Sequence, residues 1–141
     1  MSSLFRVMDI ATTGMSAENV RLNTTASNIA NANSVSSSYD ATYKARHPVF
    51  AAELERATQD QGKGAKVQVL GVVESQKPLQ VEYAPGNPMA DENGYIYKPN
   101  VNVIEEMADM LSASKGYETN VQVADTTKRL FRRVLQIGQG R

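Results

Sequence analysis

"NVIEEMADMLSASKGYETNVQVADTTKRLFRRVLQIG", residues 102–138, decides the fold. Met107, Met110, Tyr117, Val121, Ala124, Phe131 and Leu135 recur at steps of three, four and seven, the spacing of one face of a long amphipathic helix. Ser114 and Lys128 interrupt that frame, and Ile104 and Leu111 widen it. Pro99 precedes the run, and Asn102 with Glu105 has the spacing of a capping box, in which each side chain serves a backbone N–H of the first turn. Gly138 and Gly140 are expected to close the helix. At 1.5 Å per residue it exceeds about 50 Å, more than one small domain can cover.

The N-terminal end repeats the pattern. Leu4, Met8, Ala11, Met15, Leu22 and Ile29 keep a seven-residue frame, with Glu18 and Thr25 as polar interruptions. A helix from Ser3 to Ala30 would be about 40 Å long. It runs into "SNIANANS", where Asn28, Asn31 and Asn33 stand among alanines. Asparagine competes with a helix by bonding nearby backbone, so three in this spacing predict a shaped helix-end junction.

Between the ends the period changes. "ATYKARHPVFAAEL", "AKVQVLGVVES" and "PLQVEYAP" cluster or alternate β-branched and aromatic residues, with Gly62, Gly64, Pro78, Gly86 and Asn87 as punctuation, which reads as three or four short strands. The Ser and Asn tract 31–38 is the entry to this module, and "GNPMADENGYIYKPN" is its exit. The expected fold is therefore α+β, with long terminal helices pairing as an antiparallel coiled-coil-like hairpin around a small β-rich insertion. Residues 1–33 and 100–141 form the helical domain, and residues 34–99 the outer module. Two helices alone leave one side of each stripe exposed, so pairing within the chain and packing against other copies are both expected.

Composition narrows the function. Leu, Ile, Val and Phe together number 30 of 141 residues, close to the range where independent folding becomes doubtful. Fifteen basic and fifteen acidic residues cancel, so overall charge gives no reason to expect nucleic acid or an anionic membrane. With no Cys there is no thiolate nucleophile or disulfide framework. The N-terminus lacks a signal-peptide h-region, and no apolar run is long enough to span a membrane. The one histidine, His47, has no second imidazole to complete a triad or metal site and is read as structural or surface-exposed. "DENG", residues 91–94, lacks the alternating ligands of a calcium loop, and Asn93-Gly94 is read as a turn. No phosphate-cradling glycine loop occurs. No catalytic, cofactor or metal residue is assigned.

"TTKRLFRRVLQIG" concentrates Lys128, Arg129, Arg132 and Arg133 beside Leu130, Phe131, Val134 and Leu135. The favoured reading is cations near a helix C-terminus, lying along an apolar stripe; the other is a basic amphipathic surface for a membrane or an acidic partner.

"SNIANANS" and the preceding "ATTGMSAENVRLNTTA" resemble the N-terminal helix of the flagellar rod and hook proteins. "PGNPMADENGYIYKPNVNVIEEMADMLSASKGYETNVQVADTTKRLFRRVLQIG" and "YKARHPVF" resemble the basal-body rod branch of that family, and the resemblance covers essentially the whole chain. It implies a non-catalytic axial subunit of the proximal rod in the periplasm, a drive shaft for motor torque, exported by the flagellar type III apparatus. Implied partners are the rod proteins FlgB, FlgF and FlgG, FliE at the base, the export apparatus and further copies in a helical lattice. No nucleic acid, small-molecule substrate or cofactor is implied. Leu4, Met8, Met15, Leu22, Ile29, Met107, Met110, Tyr117, Val121, Phe131 and Leu135 would then form the assembly interface, with the Asn junction sending the chain outward from the lattice. The alternative from the helices alone is a cytoplasmic export chaperone or adaptor.

Overall fold

The computed structural model describes residues 2–53 and 65–140. Its elements run α1 (Ser2–Asn31), β1 (Arg46–Glu53), β2 (Lys66–Glu74), β3 (Gln80–Tyr83), β4 (Tyr95–Lys98) and α2 (Val103–Gln139). This is the expected α+β arrangement of long terminal helices around short strands. Gly62 and Gly64, read as strand punctuation, lie outside the described residues.

The helix boundaries have local causes. Asn102 caps α2: its Oδ1 accepts the Ile104 and Glu105 backbone N–H groups at 3.1 and 3.4 Å, and its carbonyl accepts the Glu106 N–H at 3.0 Å. Such a cap satisfies donors that a helix start leaves orphaned. The Glu105 carboxylate lies 3.8 Å from Lys77 Nζ. Gly138 does not stop α2, which continues through it to Gln139; a single glycine costs a helix only about 1 kcal/mol.

The strands form two two-stranded sheets, β1 with β2 and β3 with β4. β4 lies in the stretch read from sequence as the exit from the module. In the antiparallel β3–β4 pair, Gln80 faces Lys98 and Tyr83 faces Tyr95, and the two tyrosine rings meet edge-on at 5.3 Å. The turn is the one expected at Asn93-Gly94. Asp91 Oδ1 accepts the Asn93 and Tyr95 N–H groups, and Gly94 takes φ 84°. A Cβ there would come 2.9 Å from the Tyr83 ring, so glycine is required for both space and conformation.

The chain divides into two compact units that cut across both helices. One takes Met1–Val20, Val49–Gly71 and Ser112–Arg141, and the other Arg21–Pro48 and Val72–Leu111. In the first, Phe5 packs on Phe131 with ring centroids 5.3 Å apart, Gly14 meets Asn120 and Glu18 meets Gly116. As α1 advances, α2 recedes, which is an antiparallel pairing. Thr13 Oγ1 accepts the Val67 N–H at 3.3 Å, and Asp9 pairs with Lys66 at 3.4 Å, setting β2 beside α1. In the second unit Arg21 pairs with Asp109 at 3.5 Å, and Ala45, Leu79, Ile96, Pro99 and Val101 are buried.

Candidate assembly interface

The buried positions of the two helices are small or polar. On α1 they are Ala11, Gly14, Ala17, Thr24, Thr25 and Asn28, and on α2 Glu106, Ala113 and Thr127. Close approach explains the choice. A Cβ on Gly14 would lie 2.7 Å from the Asn120 amide, and one on Gly116 2.5 Å from the Glu18 carboxylate. Side chains larger than these would hold the helices apart, so the large apolar residues are displaced to the flanks.

The sequence-derived stripe is accordingly split. Leu4, Met8, Met15, Leu22 and Ile29 of α1 are partly buried, as are Met110 and Phe131 of α2. Met107, Tyr117, Val121 and Leu135 are exposed, and so are Ile104 and Leu111, at 79% and 67%. Glu106, Ala113, Asn120 and Thr127 form a heptad row one residue before Met107, Ser114, Val121 and Lys128. The outward row is apolar at two of its four positions. Hydrophobicity along α2 therefore marks a surface that the chain itself leaves uncovered.

The asparagine junction is also divided. Asn28 is fully buried inside α1, three residues before its end. Its Oδ1 accepts the Tyr43 hydroxyl at 2.8 Å and the Arg46 N–H at 2.9 Å, while its Nδ2 donates to the Arg46 carbonyl at 2.8 Å. The amide thus pairs with both backbone groups of Arg46 as a neighbouring strand would. It anchors the first residue of β1 rather than the freed groups of the helix end. Asn31 Nδ2 donates to the Ser27 carbonyl at 2.8 Å, one turn back, and Asn33 is exposed. The end itself is closed by Ser34, whose N–H and hydroxyl both donate to the Asn31 carbonyl.

Asn100, which carries no helical or strand periodicity in the sequence, completes the anchor. Its Oδ1 accepts the Ala45 N–H at 2.7 Å, and its Nδ2 donates to the Lys77 carbonyl at 2.8 Å and the Ser75 carbonyl at 3.3 Å. Ser75 N–H in turn donates to the Ala45 carbonyl at 2.7 Å. Two asparagines from distant parts of the chain thereby fix residues 45 and 46, where β1 departs. His47 is exposed beside them, and among the described residues no group of three metal-ligating side chains comes together.

Small residues stand where the helices meet, and large apolar residues of α2 face outward. A family model described as flagella basal body rod protein matches residues 8–36, and one described as flagellar basal body rod FlgEFG protein C-terminal matches residues 92–137. The flagellar basal-body rod protein FlgC of Salmonella typhimurium is 42% identical over 137 residues, covering 97% of this chain and 99% of the relative. The chain belongs to the FlgC family. The FlgC proteins of Escherichia coli O6:H1 and Aquifex aeolicus are 40% and 36% identical over 137 residues, again over nearly the full length of both chains. The Asn28 and Asn100 anchors lie in the same compact unit as the start of α2.

Proposed function

We propose that this chain is a non-catalytic axial subunit of the flagellar proximal rod in the periplasm, transmitting motor torque as part of a helical lattice. The observation that carries the reading is the outward apolar face of α2 in a member of a rod-protein family: Ile104, Met107, Leu111, Val121 and Leu135 are all exposed. In a lattice those side chains lose their water contact, at roughly 25 cal/mol per Å² of apolar area. Helix termini then act as the assembly elements and the strands as the outer module. Export through the flagellar type III apparatus fits a chain without cysteine. FlgB, FlgF and FlgG, with FliE at the base and further copies of this chain, are the partners this reading implies. The interface consists of the partly buried Leu4, Met8, Met15, Leu22, Ile29, Met110 and Phe131 and the exposed Met107, Tyr117, Val121 and Leu135.

Met107→Asp and Val121→Asp test it, because both residues are solvent-facing in the isolated chain. Each variant should keep the circular dichroism and melting behaviour of the parent within about 0.5 kcal/mol, as surface substitutions do. Cells carrying either should lack rods in basal-body images and fail to swim, since a carboxylate buried in the contact costs several kcal/mol. Normal motility in both variants, or an untagged chain that stays in the cytosol bound to another export substrate, would sink the rod reading.

A further inference from the structure

The antiparallel β3–β4 pair lies wholly within one compact unit, and its two outer edges are unlike. In an antiparallel ladder, alternate residues turn both backbone groups toward the facing strand, and the residues between them turn theirs away. The phase is fixed here by Ala84, whose N–H donates to the Gly94 carbonyl at 2.9 Å. Gln80 and Glu82 therefore bond toward β4, while Val81 and Tyr83 point outward, as do Tyr97 and Tyr95 opposite them.

The β4 edge is closed. Tyr97 donates its N–H to the Ser36 carbonyl at 2.9 Å and accepts the Ser36 N–H at 3.0 Å. Tyr95 donates its N–H to Asp91 Oδ1 at 2.8 Å, and its carbonyl accepts the Asp91 N–H at 2.8 Å. The β3 edge is open: among the described residues no partner engages the outward N–H and carbonyl groups of Val81 and Tyr83. All four residues of β3 are exposed, Val81 at 56% and Tyr83 at 65%. Pro78 and Pro85 bracket the strand without entering it, so it holds none of the lysine or proline that usually protects an exposed edge.

Two donors and two acceptors set along an extended edge match one kind of ligand, another extended backbone. The side chains narrow it further. Val81 and Tyr83 share a face with Tyr95 and Tyr97, where the Tyr83 and Tyr95 rings meet edge-on, so residues opposite Val81 and Tyr83 gain from being apolar. A second copy of β3 is a poor fit. The antiparallel register that engages all the outward groups sets Val81 against Tyr83 and Glu82 directly against its own counterpart, and like charges so placed repel.

We propose that the open edge of β3 receives an extended segment of a polypeptide other than this chain, apolar at two alternate positions and not acidic between them. This rests on the rod reading above, which supplies the neighbours, and adds to it a contact made by the outer module rather than by the terminal helices.

Amide exchange read residue by residue tests the contact. In the dilute full-length chain, Val81 and Tyr83 should exchange nearly as fast as in an unfolded peptide, while Glu82 and Ala84, bonded toward β4, are slower. In purified basal bodies Val81 and Tyr83 should slow by about tenfold or more, as amides that gain a hydrogen bond do. The concentrated pure chain should leave both fast; slowing there would make the occupant a second copy and overturn the proposal. Val81→Pro deletes one outward N–H and no bond to β4, a change that strand edges tolerate, so it should keep the parent's melting behaviour. In basal bodies this variant should return Tyr83 to fast exchange, or be excluded from them, whereas Val81→Thr behaves as the parent. Tyr83 still slow in Val81→Pro would show a surface covered without strand pairing, which also overturns the proposal. The parent comparison stands whether or not that variant folds. Fast exchange of both residues in basal bodies that contain the parent chain would refute the strand contact alone. Basal bodies that lack the parent chain would sink the rod reading with it.

Discussion

At the scale of single residues, one buried amide does more than its neighbours in sequence. Asn28 makes three hydrogen bonds, two of them to the backbone of Arg46. Asn28→Ala would leave the Arg46 N–H and carbonyl short of partners, while the Tyr43 hydroxyl keeps Ser27 Oγ at 3.2 Å; each unsatisfied buried group costs about 1–3 kcal/mol. We expect a loss near 3 kcal/mol in urea unfolding of the full chain, against less than about 0.5 kcal/mol for Asn33→Ala at an exposed site. A cost for Asn28→Ala below about 1 kcal/mol would mean that water replaces the amide and that the anchor is dispensable. The sequence shows Asn28, Asn31 and Asn33 as three equals. Helix propensity and turn chemistry are local, and they do mark where α1 ends. What separates the three is a partner 18 residues away for Asn28, and no local signal carries that. Asn100 was invisible for the same reason: its partners Ala45 and Ser75 are 55 and 25 residues away.

At the scale of elements, the helices were legible and their meeting surface was not. Periodicity located α1 and α2 to within a few residues, because a repeated apolar stripe has only one regular conformation that keeps it together. The same stripe misdirects about which side meets the partner helix. Gly14, Gly116 and Asn120 mark the closest approach, and their sizes rather than their hydrophobicity put them there. β4 was missed because a four-residue strand between a turn and Pro99 has no period of its own; it becomes a strand by pairing with β3. Gly14→Leu tests the close approach. The new side chain meets Asn120, so the helices must separate, and overpacking of this kind costs about 1–3 kcal/mol. Asn120→Gly should recover part of that loss in Gly14→Leu while destabilising the parent, giving a coupling above about 0.5 kcal/mol in a double-mutant cycle. Strict additivity would show that the two residues do not touch in solution.

At the scale of the whole molecule, the two units are each held together by a different kind of contact. The unit with Asn28 and Asn100 has two polar anchors of three hydrogen bonds each, the antiparallel β3–β4 pair and the buried Ala45, Leu79, Ile96, Pro99 and Val101. The other unit joins its helices through small residues and one aromatic pair, worth about 0.5–1.5 kcal/mol beyond burial. Every residue from 132 to 140 is exposed, so the last turns of α2 gain almost nothing from packing within the chain. Helices without tertiary support are marginal in water, and local opening follows the sparsest contacts. Amide exchange on dilute monomer should therefore find residues 132–139 exchanging nearly as fast as an unfolded peptide, with Arg46 and Tyr97 protected. In the proposed lattice neighbouring subunits cover Leu135 and the residues beside it, so the same α2 amides should become strongly protected in assembled rods. Protection of residues 132–139 in a verified monomer, equal to that of Arg46, would show that this end of α2 is stable without partners. That outcome would remove the exposed helix end as the element that assembly completes, and would move the search for lattice contacts to the strands.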